Sequence, residues 1–134
     1  MITISISVGS RYPVNRKVIR SCINEALTKH GVFDAEVSVS VVGSRRMTWL
    51  NEHLMKHSGV TDVLSFPQKD PEQPEKEFPE LPKDGPILPG QLGDIVVCFP
   101  EAVREARKLG RMVDDQMNFL VEHGLMHLLG FHHK

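Results

Sequence analysis

At 134 residues the chain suits one domain around one core, and its 40% hydrophobic and 25% charged residues are those of an ordinary globular protein. No apolar run is long enough to span a bilayer, and Met1 to Val8 is too short for a signal peptide and lacks its basic start, so no membrane partner is expected. A net charge of −1 argues against a protein held on nucleic acid mainly by bulk electrostatics, though a local basic patch remains compatible with it.

Ile2, Ile4, Ile6 and Val8 alternate with Thr3, Ser5 and Ser7, which predicts a half-buried strand broken at Tyr12-Pro13. From Asn15 onward Val18, Ile19, Cys22, Ile23, Ala26 and Leu27 recur at helical spacing, with Gly31 as the stop. Arg16, Lys17, Arg20 and Lys29 read as its solvated face. Cys22 and Cys98 are two cysteines far apart; they read as reduced, buried thiols, consistent with the cytoplasm. A second alternating strand covers Glu36 to Val42 and ends at Gly43. Ser44 is the expected N-cap of a helix running to about Lys56, with Met47, Leu50 and Leu54 as its apolar stripe. Trp49 reads as core or as a half-buried edge. Arg45 and Arg46 fall in the first turn, where the helix dipole disfavours cations.

Thr61 to Pro67 predicts a short strand. Gln68 to Leu92 carries Pro71, Pro74, Pro79, Pro82, Pro86 and Pro89, which deny it regular structure, so a long loop bordering the site is expected. Gly93 to Phe99 is nearly continuous in apolar residues and so belongs inside a sheet. Pro100 suits a first helical position, and Glu101 to Leu109 is a short helix stopped by Gly110. A last helix starts at Asp114 or Asp115, and its broad apolar coverage marks it as mostly buried. The order of elements predicts an α+β fold, a small mixed sheet of about four strands with the C-terminal helix packed on it.

That helix carries the chemistry. His123 and His127 are four residues apart, so an α-helix sets both rings on one face, one turn apart. Two imidazoles so placed can ligate one divalent ion at roughly 2.0–2.1 Å each. Gly130 can take the left-handed conformation that ends the helix. The chain then turns back and His133 can close the site, although geometry alone does not choose it over its neighbour His132. A purification tag would be a run of histidines, whereas these are spaced by apolar residues. Three imidazoles leave a tetrahedral ion one position for water, the mark of a catalytic site, and zinc suits such ligands, although other divalent transition metals accept imidazole too.

These residues resemble the YbeY family of ribosomal RNA maturation factors, metal-dependent single-strand endoribonucleases of bacteria. The family signature is similar to H-G-x-x-H-L-x-G-x-D-H, and the chain has His123-Gly124, His127-Leu128, Gly130 and His133 in register. Thr61-Asp62-Val63-Leu64-Ser65-Phe66-Pro67 and Leu92-Gly93-Asp94-Ile95-Val96-Val97 match two further family stretches in the same order. The resemblance implies one such domain over residues 1–134, with His123, His127 and His133 on one zinc ion and His123 and His127 also counted as catalytic. It implies cleavage of single-stranded RNA in maturation of the 3′ end of small-subunit ribosomal RNA and in ribosome quality control. The partners would be ribosomal RNA and the small ribosomal subunit, not DNA.

Two positions depart from the pattern. His132 stands where the family usually has Asp, and an Arg implicated in activity falls by position at Met55, with Lys56 beside it. Lys56 then takes the phosphate-holding role as a point charge rather than a bidentate fork, with Arg45 and Arg46 as further candidates for the RNA backbone. No general base is evident: Glu122 points about 100° away from His123 on a helix, and His132 is the other nearby titratable group. The His spacing equals that of metzincin proteases, but the position of their general-base Glu is Gly124 here and no methionine turn follows in the sequence. A third reading is a non-catalytic ribosome-associated factor whose metal braces the last helix.

Overall fold

In a computed structural model, which describes residues 1–9, 11–68 and 91–131, the alternating N-terminal residues form β1 (Ile2–Val8). Helix α1 (Arg16–Lys29) follows, with the Asn15 side chain accepting from the Val18 amide as its cap. It crosses to β2 (Ala35–Val42), which pairs in parallel with β1. Then come α2 (Ser44–Leu54), β3 (Val63–Pro67), β4 (Gln91–Cys98), α3 (Phe99–Leu109) and α4 (Val113–Leu128). The sheet order is β1-β2-β4-β3, with β4 parallel to β2 and antiparallel to β3. This is the expected α+β fold with a mixed four-stranded sheet, and β4 lies inside the sheet as its apolar run required.

Helices α1 and α4 cover one face. Ile19, Ile23 and Leu27 meet Val37, Val39, Val41, Ile95 and Val97 there, with Met117, Leu120, Val121 and Leu125 from α4. Helix α2 seals part of the other face with Met47 and Leu50 against Leu64, Val96 and Cys98. Because both faces of β4 are covered, both sets of its alternating side chains must be small or apolar. The buried exception is Asp94, which accepts a hydrogen bond from the Ser38 hydroxyl on the neighbouring strand; polar Gln91 stands at the half-buried start of the strand. At the mouth of β4, Gly93 has φ +139°, and a Cβ there would lie 2.2 Å from the Phe66 carbonyl oxygen, so only glycine fits.

Several boundaries differ from the sequence expectation. Gly43, not Ser44, is the N-cap of α2; Ser44 is already helical and its hydroxyl lies 4.0 Å from the Cys98 thiol. The helix ends at Leu54, short of Lys56, because Lys56 turns to φ +60°. Of the two places expected for Trp49, core or edge, the fold gives the edge, with the ring 38% exposed, since the stripe of Met47, Leu50 and Asn51 is what faces inward. Gln91 and Leu92, expected in the loop, extend β4; the rest of the proline-rich segment, residues 69–90, lies outside the described residues. Phe99 begins α3 instead of ending the strand, and its ring stacks on Tyr12 at 4.8 Å. Helix α4 starts at Val113, with Asp114 and Asp115 inside its first turn where the dipole favours them. Arg16 and Arg20 are not merely solvated: they donate to the Ile6 and Ile4 carbonyls at 2.6 and 2.7 Å, occupying the open edge of β1.

Candidate metal centre

Helix α4 is held by its apolar residues, and that burial fixes its rotation about its own axis. With Met117, Leu120, Val121 and Leu125 turned to the core, His123 and His127 come to the boundary between core and solvent, each half-buried. Their ring centroids are 4.9 Å apart and the planes tilt by 46°. Two imidazoles on one tetrahedral ion would place their centroids roughly 5 Å apart, given metal–nitrogen bonds of about 2.0–2.1 Å. The pair therefore fits a shared divalent ion. Among the described residues no third His, Cys, Asp or Glu joins them in a metal-binding group. His132 and His133 lie outside the described residues, as does the choice between them. Gly130 does take a left-handed φ of +94° after the helix.

Both rings line a cavity of about 360 Å³ whose wall also includes Met55, Asp62, Ser65 and Gly124. The turn after α2 is tied back to the helix, which sets this wall. The Asn51 side chain donates to the Gly59 carbonyl at 2.9 Å, the His57 amide donates to the Asn51 carbonyl at 3.1 Å, and the Gly59 amide donates to the Glu52 carboxylate at 3.1 Å. Met55 thus faces the cavity, while Lys56 beside it is exposed and is not among the lining residues. Arg45 and Arg46 are exposed at the far end of α2. Glu122 lines a different groove, between α1 and α4, in agreement with its expected direction.

Asp62 is the carboxylate that sequence reasoning left without a role. It sits in the family-like stretch before β3, yet only folding brings it to the histidines. Its carbonyl accepts from the Cys98 amide at 2.8 Å, which anchors it to the end of β4. Behind it stands Glu105 of α3. Burial first, then hydrogen bonding with the Asp62 side chain, raises the Glu105 pKa above the usual carboxylate range, against the opposing hydrogen bond from Gln116. Buried Gln116 donates to Glu105 at 2.8 Å and accepts from Arg111 at 3.1 Å. Nothing in the spacing of residues 62, 105 and 116 announces this chain of contacts.

The geometry can be set beside known proteins. A family model described as Endoribonuclease YbeY matches residues 8–134. A protein of that name from an Anaeromyxobacter species is 35% identical over 133 residues, which is 97% of this chain and 62% of the relative. Another, from Clavibacter michiganensis subsp. michiganensis, is 38% identical over 133 residues, 98% of this chain and 82% of the relative. A third, from Beutenbergia cavernae, is 40% identical over 99 residues, 74% of this chain. The chain thus spans 62% and 61% of the length of the Anaeromyxobacter and Beutenbergia proteins. A solution structure of a Thermotoga maritima protein superposes on all of this chain and 75% of that one, with a TM-score of 0.59 at 24% identity, which shows a shared fold.

Proposed function

Since the chain belongs to the Endoribonuclease YbeY family, we propose that it is a metal-dependent endoribonuclease that cleaves single-stranded RNA. The observation that carries this is the pair His123 and His127, side by side in one cavity that Asp62 also lines. His123, His127 and His133 are assigned as the three ligands of one zinc ion. Such an ion supplies a Lewis acid for a phosphoryl oxygen and a bound water with a pKa near about 7. The protein's own groups do the rest. Asp62 presents an acceptor that can orient a hydroxyl or water in the cavity. Lys56, exposed beside Met55, is the cation assigned to the RNA phosphate. Its positive φ costs on the order of 1 kcal/mol, a strain of the kind that accumulates at functional turns.

The finer reading follows the family: maturation of the small-subunit ribosomal RNA 3′ end and ribosome quality control, in the cytoplasm, with ribosomal RNA and the small subunit as partners. The metzincin-type reading fails on Gly124, which is buried where a catalytic Glu would have to stand. The test is cleavage of a single-stranded RNA by untagged protein with and without chelator, with a duplex and a DNA strand of the same sequence alongside. Metal-dependent cutting of the single-stranded RNA alone is expected. Stoichiometric metal with no cutting would replace the nuclease by the non-catalytic ribosomal factor.

A further inference from the structure

Three exposed side chains form a column on the face of α2 turned away from the sheet. Arg46, Trp49 and His53 follow one another by about one turn each. The Arg46 guanidinium lies 5.6 Å from the Trp49 ring centroid. The His53 imidazole stacks on Trp49 at 4.6 Å with 17° between planes. Its Nδ1 is 2.9 Å from the Trp49 carbonyl oxygen, which pins the ring in place. Trp49 is 38% exposed and belongs to neither buried cluster, so core packing does not explain it.

The surroundings are cationic. Arg46 also walls a shallow groove of about 440 Å³ together with Arg11 and Gly43, and among the described residues no acidic side chain lines that groove. The first turn of α2 has no acidic residue and no side-chain cap, so Arg45, Arg46 and the positive end of the helix dipole add in sign. At its other end α2 leads to Met55 on the wall of the histidine cavity, about 9 Å beyond Trp49 at 1.5 Å per residue.

Building on the nuclease reading, we propose that this column is a subsite for single-stranded RNA flanking the scissile bond. A base takes the place of the Arg46 guanidinium on Trp49, and the guanidinium, with Arg11, holds a backbone phosphate in the groove. The exchange is favourable by magnitude. An exposed cation–π contact is worth roughly a factor of two to five in an equilibrium constant. A base stacked on an aromatic ring is worth roughly five to 150. Every base has a π face, so the subsite accepts single strands of any sequence, whereas bases already stacked within a duplex cannot reach the ring.

Trp49 is the chain's only tryptophan, so its emission reads this contact directly. Metal-loaded protein, read on mixing with an oligoadenylate single strand, should show saturable quenching; an RNA duplex of equal length should not quench. Trp49→Ala should bind a labelled single strand about tenfold more weakly, with wild-type metal content and unfolding midpoint, and Trp49→Tyr should recover most of the loss. Arg46→Ala should reduce the slope of log affinity against log salt by roughly 0.7. Wild-type cleavage of RNA without quenching, and with Trp49→Ala affinity unchanged, would overturn the subsite while leaving the nuclease reading standing. Absence of both binding and cleavage would overturn both. Equal quenching by duplex would leave phosphate attraction without stacking and overturn the subsite, as would a column covered by a protein, which RNA then fails to quench.

Discussion

Gly124 and Ile95 touch so closely that a Cβ on the glycine would lie 2.8 Å from Ile95 Cγ2 and 3.4 Å from Cγ1. Val63 Cγ2 would stand at 3.4 Å on the other side. The glycine between the two histidines is therefore what lets α4 settle onto β3 and β4, and it fixes how deep His123 and His127 sit. Gly124→Ala gains about 1 kcal/mol of helix propensity but overpacks a fully buried isoleucine, at a cost of about 1–3 kcal/mol. A net loss of up to about 2 kcal/mol is expected in urea unfolding, with weaker metal binding. Ile95→Ala removes both crowding atoms, so the double variant should lose less than the sum of the single changes. An unchanged midpoint for Gly124→Ala would mean that the seam yields freely.

Metal content tests the ligand set. His123→Ala and His127→Ala should each abolish stoichiometric metal by elemental analysis while the protein stays folded, because neither ring belongs to the buried clusters. His133→Ala should do the same and His132→Ala should not. The reverse pattern for the last two would move the third ligand to His132. His132→Asp should tighten binding, since a carboxylate beside the ligands offsets the ion's charge.

Glu105 gives a pH dependence of defined sign. Its pKa is raised in the folded protein by burial and by the Asp62 side chain. Between the ordinary carboxylate value and that raised value the native state binds more protons than the unfolded chain, so stability falls as pH rises through the window. Glu105→Gln keeps an acceptor for the Gln116 amide and removes the titration. Unfolding midpoints measured between about pH 4 and pH 7 should therefore decline less in the variant than in the wild type. Parallel profiles would show that Glu105 does not carry this proton.

The Cys22 thiol is pushed up to about 11, first by burial and then by Glu122 and Glu25. Cys98 is also raised, chiefly by burial. At pH 8 only about one Cys22 in a thousand is thiolate, so iodoacetamide should label the native protein slowly and the denatured protein fully. Glu122→Gln should quicken Cys22 labelling. Rapid labelling of native wild type would contradict this environment.

Much of the fold is written in local periodicity. Ile2 to Val8 and Val37 to Val41 alternate, and a period of two has one outcome once one face is covered. His123 and His127 are legible for the same reason, because an interval of four on a helix is a distance as well as a spacing. Spacing leaves Trp49 open between core and a half-buried edge, because Met47 and Leu50 already define the inner stripe of α2; the fold decides for the edge, with the ring 38% exposed.

The sequence by itself determined the elements, the imidazole pair and the family motifs, because each depends on neighbours along the chain. It did not determine the strand order β1-β2-β4-β3, the pairing of Asp62 with the histidine cavity, or the line from Asp62 through Glu105 to Gln116. Those relations join residues that meet only when α4 and α3 pack. The approach of α4 is limited by side-chain volume at one point, Gly124 against Ile95. Volume at a contact between distant segments has no period along the chain, so only the tertiary structure could decide it.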